Sequence, residues 1–306
     1  MREFGADIDW ITIPGGAFIM GSDDPALEAN VRPAHRAETG PFQIARSPLT
    51  VAGFARFVKA TGYRTEAEQD GWSQVWTGQI PEDVWPDNDT LWVQMEGACW
   101  HRPRGDDDVR AKALHPVTHL SYRDATAYCD WIGARLPTET EWELAARGAD
   151  GQRNPWGDAP PGSGDCNCAM QVGDTTPVGA YPAATSPFGL LDAVGNAWEW
   201  TSSRYLAYPI PASEEEGRIP EEFIDDMMAE FAIHAGVEDM VTEMRETGQL
   251  PQAFRALINQ LDIGVIRGGS FYSNCEPPER THVTCRVYAP RNYRCFDLGL
   301  RPARDV

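Results

Sequence analysis

Residues 135–143 read RLPTETEWE, and residues 195–201 read GNAWEWT. In the first stretch Thr138 is followed three residues later by Glu141. That is a capping box, in which hydroxyl and carboxylate each take an N–H that the first helical turn leaves unpaired. A helix therefore opens at Thr138, with Trp142, Ala145 and Ala146 as its buried stripe. Upstream, Ser121 can cap another helix that presents Ala125, Tyr128, Cys129 and Ile132 inward and stops at Gly133. The second stretch belongs to an oxygen-rich turn, D192-A-V-G-N-A-W-E199. Asp192 and Glu199 are hard anionic groups seven residues apart. The Gly195 and Ala197 carbonyls can turn inward between them, a ligand set that suits calcium.

Outward from these stretches, residues 47–61 carry Phe54, Phe57 and Val58 at helical spacing, and Gly62 ends the run. Residues 10–21, WITIPGGAFIMG, alternate around a Pro-Gly-Gly corner and predict a hairpin. Residues 63–100 are rich in tryptophan and read as irregular, as do the Gly/Pro/Asp-rich residues 148–190. VIRGGSF (265–271) and LGLRPA (298–303) read as short strands around a loop. Residues 206–262 differ. They are acidic, and apolar residues such as Phe223, Met227 and Phe231 recur at i, i+4, i+8, which predicts two or three inserted amphipathic helices. The expectation is one α+β, loop-rich domain over residues 1–306 with a helical insertion at about 206–262.

The formal charge of −20 argues against a nucleic-acid groove, because phosphate contacts need Lys/Arg clusters. There is no apolar run long enough to span a membrane and no apolar core in residues 1–10, so neither membrane nor nucleic acid is an expected partner. Seven cysteines, an odd number, predict mostly thiols in a reducing, cytoplasmic setting.

Beyond these two stretches, IPGGAFIMGSDDP (13–25), HPVTHLSYRDATAYCDWIGARLPTETEWELAARG (115–148), NPWGD (154–158), FGLLDAVGNAWEWTSS (188–203), RGGSF (267–271) and LGLR (298–301) appear in one order. In that order the chain resembles the formylglycine-generating-enzyme (sulfatase-modifying-factor) superfamily, whose fold is related to C-type lectins. The resemblance covers almost everything except 206–262. It implies a structural calcium at Asp192, Gly195, Ala197 and Glu199. It also implies a second calcium loop at Asn167 in DCNCAM, for which Asp174 is the nearest acidic partner.

Formylglycine generators oxidise a substrate cysteine with O2, using copper(I) held by two cysteines just after the GGS motif, and soft thiolates select that ion. In RGGSFYSNCEPPERTHVTCR the two positions fall on Ser273 and Pro278 when read without gaps. With a two-residue insertion they fall on Cys275 and Arg280, with Cys285 downstream. Ser270 and Trp198 keep the family pattern, and Asp297 stands where the family has a pocket asparagine. The candidate catalytic residues are thus Cys275, Ser270, Trp198, Cys285 and Arg280, with one thiol of the family pair missing.

His115 and His119 in HPVTH sit four apart, which puts both on one face of a strand. With His101 and His282 they offer an iron or zinc set, as in the related sulfoxide synthases, or simple packing. Residues 271–275 and 291–297 mix Tyr, Arg, Asn and Phe, as in the ligand-binding region of retroelement-diversified variable proteins. The readings are therefore a metal- and O2-dependent oxidoreductase acting on a protein or small-molecule nucleophile, with copper or iron as its redox metal; a non-catalytic ligand-binding module; and an accessory or assembly protein docking through the acidic helices.

Overall fold

The capping boxes form as the sequence requires. A computed structural model of the chain describes residues 8–76, 92–106, 108–210, 262–274 and 281–306. Helix α1 (Val51–Thr61) starts where Thr50 accepts Gly53 N–H and ends at Gly62, which takes φ 72°. A short α2 (Glu66–Asp70) has its own box from Thr65 and Glu68. In α3 (Tyr122–Trp131) the box is Ser121 with Asp124, and in α4 (Glu139–Arg147) it is Thr138 with Glu141. The inserted helices expected within 206–262 lie almost wholly outside the described residues.

The strands are β1 (Trp10–Ile13), β2 (Gly16–Met20), β3 (His35–Thr39), β4 (Phe42–Ala45), β5 (Trp72–Trp76), β6 (Trp92–Glu96), β7 (Trp198–Arg204), β8 (Ile263–Arg267), β9 (Arg286–Pro290), β10 (Leu298–Leu300) and β11 (Ala303–Asp305). They make a four-stranded sheet in the order β10-β7-β8-β9, a three-stranded sheet β1-β4-β11, and two separate pairs, β2-β3 and β5-β6. In the large sheet β10 runs parallel to β7, with Leu298 opposite Trp198, and the other pairings are antiparallel.

Three sequence expectations change here. Residues 10–21 are not a hairpin: β1 pairs with β4 and β2 with β3, in different sheets. Gly15 takes φ 73° with its Cα packed on Gly40, where a Cβ would lie 2.4 Å from the carbonyl oxygen, so the corner hands the chain from one sheet to the next. LGLRPA forms two strands in two sheets, with buried Arg301 at the crossing. Within the tryptophan-rich stretch, β5 and β6 pair with Val75 opposite Val93, so it is not irregular.

The carboxylates of α4 face inward with its tryptophan. Arg286 of β9 donates to both oxygens of Glu139, at 2.7 and 3.0 Å. Arg267 of β8 donates to Glu139 at 3.1 Å and pairs with Glu143, which also accepts from Arg147 at 2.8 Å. The side chains of Glu139, Glu143, Arg267 and Arg286 are wholly buried. Such charges survive burial only because each is paired and hydrogen-bonded. The network clamps α4 onto β8 and β9 and fixes the start of the RGGS turn.

Candidate active site

The turn leaves β8 through Gly268 (φ 96°) and Gly269 (φ 71°). A Cβ on Gly268 would lie 3.1 Å from the Trp142 ring, so the backbone there must be bare. The turn delivers Ser270, whose hydroxyl donates to Asp297 Oδ2 at 2.6 Å. The other oxygen of Asp297 accepts from the Cys295 thiol at 3.0 Å. Asp297 and Cys295 are both buried. Burial pushes the Asp297 carboxyl above its usual range, against the hydrogen bonds that favour its charge. Burial first, and Asp297 second, hold the Cys295 thiol well above the usual thiol range. Burial, with Cys295 and Asp297 nearby, also raises Tyr293. The result is a buried thiol–carboxyl–hydroxyl chain whose thiol and carboxyl hold their protons more tightly than such groups do in water.

A cavity of about 780 Å³ opens over this chain, lined among others by Trp92, Met170, Trp198, Tyr272, Tyr293, Cys295 and Asp297. That is the size of a small-ligand or peptide side-chain pocket. Its aromatic wall is interlocked: Tyr272 packs on Trp76 at 4.9 Å and on Trp92 at 5.8 Å between ring centroids, and Trp92 packs on Phe296 at 5.4 Å.

The sequence candidates fall unevenly around it. Ser270 lies buried behind the cavity, bonded to the lining Asp297; Trp198 is in the wall, and Ser273, the ungapped counterpart of the first family cysteine, also lines the cavity. Cys275, Pro278 and Arg280 lie outside the described residues. Cys285 is buried in the core and does not line the cavity, because its own turn carries it elsewhere. Cys295 was legible only as part of the loop surface; its pairing with Asp297 is made by a turn, closed by Leu298 N–H donating to Cys295 O at 3.3 Å, that no local sequence pattern marks. Copper(I) prefers two thiolates. Among the described residues the cavity offers one cysteine, held as a thiol, so a two-thiolate ion does not fit them.

The oxygen-rich turn is built on positive φ at Asp192 (51°), Gly195 (80°) and Asn196 (65°). Asp192 accepts from Gly179 N–H at 2.6 Å, and burial pushes its carboxyl up to about 6. Such a carboxylate gains from a cation. Asn167 Oδ1 is buried with no hydrogen-bond partner among the described residues, and its backbone oxygen accepts from Asn196 N–H at 2.8 Å, so the two calcium loops interlock. These oxygens fit a hard ion. Glu199 does not: Oε2 accepts Trp142 Nε1 at 2.7 Å and Arg301 Nε at 2.9 Å, while Oε1 accepts Arg301 Nη2 at 2.7 Å. Asp174 is likewise taken, by Lys112 at 3.0 Å and Thr175 N–H at 2.7 Å.

HPVTH is not a strand. His119 takes φ 63°, is buried, and is 2.8 Å from Ser73 Oγ; burial pushes its pKa down to about 3. His115 turns away to Thr175 Oγ1 at 2.9 Å. His101 pairs with Glu68 at 3.5 Å, and hydrogen bonding to Cys99 and then to Glu68 raises it to about 9. These three imidazoles hold separate partners and do not make a shared metal site. Five described cysteines are thiols, and Cys168 is disulfide-bonded. No helix among the described residues is long and apolar enough to cross a membrane.

A mixed, loop-rich fold with a capped helix clamped onto a small sheet, and a cavity at the GGS turn, defines a known architecture. Among solved structures the chain is similar to PvdO from Pseudomonas aeruginosa, with TM-score 0.62, 20% identity, and coverage of 97% of this chain and 94% of that one. It is also similar to Treponema denticola variable protein 1, with TM-score 0.57, 15% identity and 97% and 95% coverage. At those identities the likeness is one of fold. The sulfatase-modifying factor enzyme 1-like domain family matches residues 5–306, and the chain belongs to that family. It is 39% identical to the formylglycine-generating enzyme of Thermomonospora curvata, over 69% of this chain and 78% of that protein. It is 38% identical to the inactive C-alpha-formylglycine-generating enzyme 2 of Bos taurus, over 66% and 73%. It is 34% identical to the hercynine oxygenase of Mycolicibacterium smegmatis, over 65% and 46%.

Proposed function

We propose that the chain is an O2-dependent oxidoreductase of this family whose substrate, a thiol or other nucleophile on a peptide or small molecule, sits in the cavity over Asp297. The observation that carries this reading is the buried Cys295–Asp297–Ser270 chain at the base of a cavity of about 780 Å³. Relatives named for formylglycine generation and for an oxygenase support the reaction class. A carboxyl held above its usual range can take a proton from a reacting group and return it, the work of a general acid–base. Ser270 fixes the orientation of that carboxyl. Trp198, Tyr272 and Trp92 wall the substrate from water.

No step is assigned to copper, since the described residues do not supply its thiolate pair. One structural calcium would be held by Asp192 with the Gly195 and Ala197 carbonyls and would offset the buried Asp192 charge, and a second would be held in the Asn167 loop. The experiment is O2 uptake and product mass on a Cys-x-Pro-x-Arg peptide and on small thiols, with metal content measured on the same samples. Turnover that Asp297→Asn abolishes is the expected result. No O2 uptake on either substrate class, with copper or iron supplied, refutes the oxidoreductase reading. The aromatic wall favours one alternative, a ligand-binding module without turnover, which saturable binding in the absence of O2 uptake would establish.

A further inference from the structure

Away from the cavity, three donor side chains converge on one point. The sequence H282-V-T-C285 forms a tight turn closed by Cys285 N–H donating to His282 O at 3.1 Å. A turn of this kind, with two residues between the donors, brings histidine and cysteine side by side, as in short-spaced zinc ligand pairs. From far away in sequence Glu28 reaches the same place. The donor atoms of Glu28, His282 and Cys285 all lie within 4.8 Å of one another.

Three details argue for a cation. The His282 ring is oriented by Thr284 Oγ1, 2.7 Å from Nδ1, which leaves Nε2 turned toward Glu28 Oε2 at 3.4 Å. An outer partner on one nitrogen and an inward-facing second nitrogen is the usual arrangement of a ligating histidine. The 3.4 Å separation is long for a charge-assisted hydrogen bond. It is close to the donor–donor edge of a tetrahedron with bonds of about 2.0–2.3 Å, roughly 3.3–3.8 Å. His282 and the Cys285 thiol are buried, and Glu28 is the partly exposed member. The side chain with room to move is therefore the one that must close the last ångström.

We propose that Glu28, His282 and Cys285 form a metal site for a borderline divalent cation of the zinc class, with a water as fourth ligand on the Glu28 side. The donor set selects it. Calcium takes oxygen alone, and copper(I) prefers more sulfur than one thiolate. On binding, Cys285 loses its proton and becomes the thiolate ligand. The ion would staple the segment before residue 30 to the turn that leads into β9. None of the three residues lines the cavity, so the site stands apart from the proposed reaction.

The test uses the full chain, stripped by a chelator and titrated with Zn(II) and separately with Co(II). The expected result is one equivalent of zinc per chain and, with cobalt, a thiolate-to-cobalt charge-transfer band. The band should vanish in Cys285→Ser and His282→Ala and persist in Cys295→Ser and Asp192→Ala. Glu28→Gln, a partly exposed change that leaves the core alone, should weaken zinc binding by at least about tenfold. Less than a tenth of an equivalent of zinc, a cobalt band that survives in Cys285→Ser, or unchanged affinity in a folded Glu28→Gln protein would each overturn the proposal.

Discussion

Glu199→Gln separates two roles for one carboxylate. The family resemblance makes Glu199 a calcium ligand, whereas its oxygens are taken by Arg301 and Trp142. Arg301 is wholly buried, and its other N–H groups go to the carbonyls of Ala45, Arg46, Leu191 and Asp192. Glutamine keeps the size of the side chain, and its carbonyl can still accept from Trp142 Nε1. What is lost is the only carboxylate among these Arg301 partners. Leaving one member of a buried pair uncompensated costs about 3–5 kcal/mol. Unfolding entropy of about 2.1 cal/mol/K per residue gives roughly 0.64 kcal/mol/K for 306 residues. The expected fall in Tm is therefore about 5–8 °C. The assay is thermal and urea unfolding of both proteins, in chelator and in calcium. The loss should be the same in both buffers. A variant within about 1 kcal/mol of the parent in chelator refutes the ion-pair account, and a loss confined to calcium buffer returns Glu199 to the metal.

Four further outcomes follow from the same geometry. Chelation should lower the Tm of the parent and leave Asp192→Ala unmoved, with calcium at a hundredfold over its Kd adding about 2.7 kcal/mol to the parent alone; equal responses in unfolding scans count against the loop. Asp297→Asn should reduce any recovered turnover by at least about a hundredfold while the protein stays folded. Because the raised carboxyl holds its proton longer in the native state than in the unfolded chain, parent stability should fall as pH rises above the usual carboxylate range, and the variant should lose that part of the slope. His101 is raised to about 9, so its contribution is complete below about pH 6.5 and is lost as pH rises through about 9. Urea midpoints between pH 6 and 10 should show that fall, and a His101→Gln variant that keeps it would remove His101 as the cause.

The sequence alone determined helices α1, α3 and α4 and the family, while the short α2 fell in a stretch that read as irregular. Thr50, Ser121 and Thr138 cap helices because capping is chemistry between neighbours three residues apart, and Gly62 stops α1 because glycine takes the left-handed turn at little cost. The GNAWEWT and RLPTETEWE stretches likewise carry the family in local order. Decisions between distant segments were not legible. The Pro-Gly-Gly corner has the residues of a hairpin, and only the partners β4 and β3 make it a crossing between sheets. Glu139 and Glu143 sit on a capped helix and look solvated until Arg267 and Arg286, more than 120 residues away, bury them. Glu199 has the spacing of a calcium ligand, yet Arg301 reaches it first. Cys295, Asp297 and Ser270 become a chain, and Glu28, His282 and Cys285 a cluster, only when the sheet is closed. Local propensity acts over a few residues, while the pairing of buried charge and the convergence of donors depend on which surfaces the whole chain brings together.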